Sequence, residues 1–480
     1  VSVYNGWLVD RFGAALGLGC AGALIAVGYA TLYHTVVASP PNKDWIAAFA
    51  FLVLGHGCVL AFLSSWTAAV ALLPNPAWKG RVGGAVLAGF AGSAAVCAFI
   101  YHTGFHGDPA EYFQVLVVMA LALAAKAAAS LAIRTQCLCG RTPPPGIMPV
   151  SMGDQTREAE ADPEQGRGAP APLPAASTMD TLRTLVRPGF LGMWLLVFLG
   201  LGSALMFVNT LGSVVDAMAG ATGDGGPQAK DSSALTSTGV VTFAVCNVGF
   251  RLVGGTASDL LHARGHSRLW VQVVGCAIGI AAMAIFASTP PSLADCASGS
   301  ICPAARTRLL LGSGLVGAGE GLIFTWPVVA HSWFDATGAG TAFTALNSAV
   351  GIGSVAFTAI ASAVQAPHET SGTEPDGTEV RLCHGVHCFA GAYTAAAAAM
   401  ALGAVVALLL IWRVDGGEAP SEVTWAHALS GTLLRGGHVE KYARLTGGGQ
   451  GELGLPAVDG AEPAEPAESD SVRGATGTGA

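Results

Sequence analysis

Long apolar stretches separated by short polar ones dominate the chain. A membrane-spanning helix needs about 20 mostly apolar residues. That template fits at 14–33, 45–71, 82–101, 113–133, 189–212, 233–254, 269–288, 308–330, 340–363 and 390–412. Residues 1–9 read as the tail of one further span, because Asp10 and Arg11 bring polar loop sequence soon after Val1. The order is four spans, a long polar interval, then six. The pattern predicts an all-α, polytopic membrane protein with about ten complete transmembrane helices plus the end of an eleventh. Four regions follow: a first bundle over 1–139, a linker over 140–186, a six-helix bundle over 187–413 and a tail over 414–480. The linker and the stretch 445–480 are rich in Pro, Ala, Gly and acid, and offer too little apolar surface to offset their ordering entropy. Between the second bundle and 445–480, residues 421–434 fit a short amphipathic helix capped by Ser421.

Composition narrows the class. Hydrophobic residues make up 52% of the chain and charged residues 11%, where a soluble domain carries about 25% charged residues. Lipid must therefore solvate much of the exterior. The 65 glycines suit helices whose backbones approach closely in a bilayer. The net charge of −8 includes no basic block, so nucleic-acid binding is not expected. No phosphate loop, HExxH zinc site, GxSxG nucleophile or ion-channel selectivity filter occurs. An enzyme, an ATP-driven pump, a metal site and a cofactor are accordingly not expected.

Positive charge near span ends sets the expected orientation. One set of loops holds Arg11, Lys79, Arg81, Arg134, Arg141, Arg183, Arg187, Arg264, Arg268 and Arg413. The other holds Lys43, Lys230, Arg306, Arg308 and Arg381. The bias puts the linker and tail in the cytoplasm. Cys296, Cys302, Cys383 and Cys388 then fall on the oxidising side, where up to two disulfides with three connectivities, or unmodified thiols, are open. Cys137 and Cys139 follow a span on the cytoplasmic side and are candidates for S-palmitoylation.

An internal repeat carries the most information. Gly6 to Gly13 reads GWLVDRFG, with Asp10 and Arg11 inside it, and Gly255 to Asp259 reads GTASD and continues through His262, Arg264 and Gly265. Both are expected as loops that follow an inward span and precede an outward one, as parallel duplicated halves require. Each aspartate can interact with the positive N-terminal end of a facing helix, a contact able to form in one conformation and break in another.

With these two motifs the chain resembles the major facilitator superfamily, whose signature has the form GxxxD(R/K)xG. On that resemblance the ten spans correspond to helices 3–12, and helix 1 and most of helix 2 are missing. More narrowly it is similar to the nodulin-like subfamily, which overlaps with fungal monocarboxylate-porter homologues. The residues that carry this are Pro74 to Gly84 (PNPAWKGRVGG), Val208 to Gly212 (VNTLG), Asn247 to Asp259, and Cys383 to Phe389 (CHGVHCF). It departs at His331 to Asp335 (HSWFD), where the subfamily often carries an acid at a helix end. The resemblance implies secondary active transport of a small solute by alternating access, with an organic anion such as a monocarboxylate as one candidate. It further implies a gate built from Gly6, Asp10, Arg11, Gly13, Arg251, Gly255 and Asp259, and most simply a monomer surrounded by the lipid bilayer.

Ionisable groups inside a span are costly and each needs a reason. Glu320 is either a proton-coupling acid or a protonated, hydrogen-bonded one. His56 is either a proton-exchange site or a packed residue. Lys126 either attracts an anion or extends its ammonium toward headgroups. Arg251 precedes Gly255 by one turn, in the facilitator-like pattern RxxxGxxxD, and is expected to brace the gate. Asn209, Asn247 and Asn347 either line a cavity or bond between helices. Trp326 and Pro327 are expected to kink their helix. The stripe Gly80, Gly84, Ala88 and Gly92 is assigned to close packing alone. A non-transporting receptor or scaffold with the same fold, and an inactive fragment, remain as other readings.

Overall fold

The spans fold as helices because lipid offers no partner for backbone N–H and C=O groups, which must bond within each segment. The computed structural model describes residues 3–71, 78–105, 108–140, 183–219, 227–288, 303–333, 339–373, 379–383 and 387–415. The linker between 141 and 182, the tail beyond 415 with the helix expected over 421–434, and Cys296 and Cys302 lie outside these residues.

In chain order the helices are α1 (Val3–Phe12), α2 (Ala14–Ala38), α3 (Lys43–Ala71), α4 (Lys79–Gly104), α5 (Pro109–Gly140), α6 (Pro188–Ala219), α7 (Pro227–Ala263), α8 (Trp270–Ala287), α9 (Pro303–Ile323), α10 (Trp326–Trp333), α11 (Ala339–Gln365) and α12 (His387–Asp415). Among the described residues ten segments are long and apolar enough to cross a membrane, with α9 and α10 counting as one. Their outward faces carry large apolar side chains in the open, including Phe99 at 68%, Val118 at 65% and Met119 at 63% exposure. Such a surface is stable only against lipid, so the chain is an integral multi-pass membrane protein.

The helices form two related halves. Helix α2 packs on α3 and α5 as α8 packs on α9 and α12, and the halves meet where α1 contacts α11 and α4 contacts α7. Gly13 and Gly265 occupy matching turns with φ of 85° and 79°, a backbone conformation glycine adopts without steric cost. Helix α6 packs against α7, α9, α11 and α12. No described helix fills the corresponding position against α4 and α5, and the α5 span is only 11% buried where the α12 span is 28% buried.

Two features differ from the sequence reading, and the kink expected at Trp326 and Pro327 is present as a break in the helix. The motifs around Asp10 and Asp259 were expected as loops but sit on the last turns of α1 and α7. The helix persists there because the carboxylates reach across to partner helices rather than out to water. The span over 308–330 breaks at Phe324 and Thr325, and Pro327, lacking an N–H, opens the short helix α10. A polar antiparallel hairpin, Glu369–Thr373 with Glu379–Cys383, follows α11. Cys388 is disulfide-bonded, while Cys20, Cys58, Cys97, Cys246 and Cys276 are free. Cys137 and Cys139 ride in the last turns of α5, which continues to Gly140.

Candidate functional site between the two halves

The repeat motifs build two matching junctions at one end of the molecule. At the first, the Asp10 carboxylate at the end of α1 accepts from the backbone N–H of Gly340 (3.0 Å) and of Thr341 (2.8 Å). It also accepts from the Thr341 hydroxyl (2.8 Å). At the second, Asp259 at the end of α7 accepts from the N–H of Gly80 (2.9 Å) and of Arg81 (2.8 Å). Each carboxylate therefore caps the N-terminus of a helix in the opposite half, where unpaired N–H groups and the helix dipole both favour negative charge. Glycine makes the approach feasible: a Cβ on Gly6 would overlap the Gly340 carbonyl, and one on Gly80 would overlap that of Gly255. The stripe beginning at Gly80 thus supplies an amide to the junction as well as a packing surface.

The junctions differ in their electrostatics. Arg268 Nη1 lies 2.7 Å from Asp259 Oδ1 and donates also to Ser258 Oγ (3.3 Å). Asp259 is 6% exposed and Arg268 is 7% exposed. Asp10 is exposed, as is Arg11 beside it, and its described partners are the helix end and one hydroxyl. Water competes for Asp10 and hardly for Asp259.

Above the junctions an aromatic group closes the space between halves. Phe343 of α11 lies 4.8 Å from Trp326, 5.7 Å from Phe62 and 6.4 Å from Trp66, measured between ring centroids. Phe62 and Trp66 belong to α3, so the cluster spans both halves.

Deeper in the span the structure unites three residues that the sequence presented separately. Arg251 donates through Nε to Asn247 Oδ1 (2.6 Å) and its Nη2 lies 3.5 Å from Glu320 Oε1. Its Nη1 donates across the half boundary to the Leu87 carbonyl of α4 (2.9 Å). The guanidinium stacks 3.8 Å from the Phe324 ring centroid, a favourable cation–π geometry. Glu320 Oε2 has no hydrogen-bond partner among the described residues. Arg251 is thus held on every side, and a buried pair of this kind stabilises little while losing one partner is costly.

The remaining candidates do not join this network. His56 is half-buried on α3, and its carbonyl accepts from Asn5 Nδ2 (3.3 Å). Lys126 is exposed on α5, and Asn347 is half-buried on α11. Asn209 Nδ2 donates to Ser354 Oγ (3.1 Å) and Thr358 Oγ1 (2.9 Å). Sequence reasoning missed Arg268, Leu87, Gly340, Thr341, Ser354 and Thr358 as participants. For Gly340, Thr341, Ser354 and Thr358 the sequence signal is small or hydroxyl residues recurring along α11, and for Leu87 and Arg268 nothing in the pattern marks the contact. Among the described residues no group of His, Cys, Asp or Glu could hold a metal ion.

No family model and no curated protein matches the chain. Solved structures do. The chain is similar to a major facilitator superfamily transporter, FucP, in the outward conformation, with a TM-score of 0.52 at 13% identity over 85% of this chain and 86% of that one. It is similar also to the proton:xylose symporter XylE bound to 6-bromo-6-deoxy-D-glucose, with a TM-score of 0.50 at 15% identity over 88% and 85%. At such identities the likeness concerns the fold, which is the two-bundle major facilitator architecture.

Proposed function

We propose that the chain is a secondary active transporter that moves a small solute by alternating access. The observation that carries this is the duplicated junction: two carboxylates, one per half, each capping a helix of the other half at the same end. Such contacts form only when that end is closed, and their release lets the halves rock apart around a central cleft. Gly6, Asp10, Gly13, Gly255 and Asp259 form the gate, with Arg11 at its rim. The distribution of Arg and Lys supports a cytoplasmic location for this end, and hence for the linker and tail.

Glu320 is the proposed coupling acid. When charged it holds Arg251, and Arg251 holds the Leu87 carbonyl of the other half. Protonation removes the counter-charge, frees Arg251 to reorient and loosens one cross-half bond, which links a proton gradient to rocking. His56 and Lys126 stand outside this relay. Membership of the nodulin-like branch rests on the sequence segments already quoted, and a monocarboxylate solute rests on that resemblance alone.

Proteoliposome uptake tests the proposal. Radiolabelled solutes of several classes are offered with and without an imposed pH gradient. Gradient-driven accumulation of one class, abolished by Glu320→Gln in folded protein, is the expected result. Accumulation untouched by that substitution removes Glu320 from coupling, and no accumulation of any solute removes the transport reading.

A further inference from the structure

The junction around Asp259 gathers more positive charge than it neutralises. Asp259 itself is satisfied by the N–H groups of Gly80 and Arg81 and by Arg268. Lys79, half-buried at the start of α4, belongs to the opposite half and directly precedes one of those amides. Among the described residues it makes no ion pair and no hydrogen bond. The side chains near enough to act on it electrostatically are all basic. They are Arg268, His262 one turn beyond Asp259 on α7, and His331 on α10. Both α7 and α10 pack on α4, so the cluster converges from separate elements of the fold.

Hydrogen-bonding capacity is unfilled at the same place. Arg268 is 7% exposed, and its Nε has no partner among the described residues. Both ring nitrogens of His331 are likewise buried and unpartnered there. A buried N–H of a charged group left without an acceptor is costly, and like charges brought together add to that cost. Lys79 comes from the first half and His262, Arg268 and His331 from the second. Closing this end therefore compresses the cluster, and parting the halves relieves it. The two gate carboxylates are already spent: Asp10 holds Gly340 and Thr341, and Asp259 holds the start of α4. What the cluster lacks is an anion with several acceptor oxygens, and His262, which is exposed, gives it a side open to water. A phosphate monoester supplies about two negative charges and three acceptor oxygens, enough to meet Lys79, His262 and Arg268 together.

We infer that Lys79, His262 and Arg268, with His331 beneath Lys79, form a binding site for a phosphate group that bridges the two halves and holds this end closed. The group is either a free phosphate or the headgroup of a phospholipid at the membrane surface, and the site chemistry is the same for both. The anion replaces repulsion across the boundary with attraction, so it favours the closed state over the open one. The inference rests on the gate reading for its consequence, whereas phosphate binding is measured without gating or uptake.

The test uses the full chain carrying Thr344→Cys, with maleimide labelling of the peptide spanning position 344 as the measure of opening. Binding is read separately, by scintillation proximity with radiolabelled inorganic phosphate. An anion that binds only the closed state lowers the open population about elevenfold at about ten times its Kd. Phosphate should therefore slow alkylation about tenfold relative to chloride at the same pH and ionic strength. Lys79→Met should abolish phosphate binding and the slowing, and should alkylate more slowly than the parent when no phosphate is present, because the repulsion is gone. Lys79→Arg, which keeps the charge, should retain both responses, and His262→Gln should weaken them. Nanodiscs of phosphatidylcholine with and without phosphatidic acid separate the sources. Slowing by the lipid alone assigns a headgroup, slowing by free phosphate in detergent assigns a soluble anion, and either keeps the site. Equal slowing by chloride reveals general screening and overturns it, as does a phosphate response that survives Lys79→Met. No slowing by either source in the parent also overturns it. The gate reading fails separately, and only if Asp259→Asn leaves alkylation unchanged.

Discussion

Replacing Asp259 by asparagine tests the gate through one functional group. In the closed state the carboxylate accepts two cross-half bonds, from the N–H groups of Gly80 and Arg81. Bonds to a charged acceptor contribute about 1.5–3 kcal/mol each and neutral ones about 0.5–1.5. Asparagine keeps one neutral bond through Oδ1 and turns an N–H toward the other donor. By difference the closed state loses about 2–4 kcal/mol relative to an open one. Tenfold corresponds to 1.4 kcal/mol, so the open population rises roughly 30- to 700-fold. Loss of the Arg268 ion pair is a separate matter: Arg268 and Asp259 share one half, so it lowers overall stability without favouring either conformation. The assay is alkylation of a cysteine placed at Thr344, buried between α1 and α11, by a water-soluble maleimide. Where opening precedes reaction, the rate scales with the open population. Asp10→Asn should accelerate alkylation less, because Asp10 is exposed and water already competes for it. A rate in Asp259→Asn within twofold of the parent, in protein of unchanged elution profile, would refute the argument.

Three further outcomes follow from the geometry. Arg251→Met leaves Glu320 buried without its cation, and should lower unfolding stability by about 3–5 kcal/mol; Arg251→Met with Glu320→Leu should recover most of it, and failure to recover would show that the pair is not what stabilises this position. Gly255→Val places side-chain atoms against the Gly80 carbonyl, so it should hold the junction open and raise Thr344→Cys alkylation without abolishing insertion; an unchanged rate contradicts the close approach. Thr341→Val removes one of three bonds to Asp10 and should weaken closure by about 1 kcal/mol, read as a roughly fivefold alkylation increase, with no increase arguing that the backbone amides suffice alone.

Hydrophobic length alone made the spans legible, because the bilayer imposes one template on every crossing. The duplicated aspartates were legible too, since GxxxD recurs in corresponding places. Their partners were not. Gly340 and Thr341 lie more than three hundred residues from Asp10, and helix N-termini present backbone amides that no side-chain pattern announces. Arg251 and Glu320 each stood out as a charge in an apolar span, but periodicity carries no information about which of two distant helices faces the other. The break after Ile323 was partly visible through Pro327, whereas the hairpin from Glu369 was hidden because ETSGT reads equally well as loop. Asn209 stood out as a polar group, yet its hydroxyl partners looked ordinary among the many Ser and Thr of α11.

The central claim is that the two halves rock as bodies, opening one end as the other closes. Pulsed electron paramagnetic resonance distances test it most directly, with spin labels at exposed Phe12 and Ser332 for the gate end and at exposed Val37 and His368 for the other. In Asp259→Asn the account predicts a new population in which the Phe12–Ser332 distance lengthens and the Val37–His368 distance shortens. Lengthening at the gate end with the far end unchanged would contradict it, because the junction would then fray locally instead of governing the motion of whole halves.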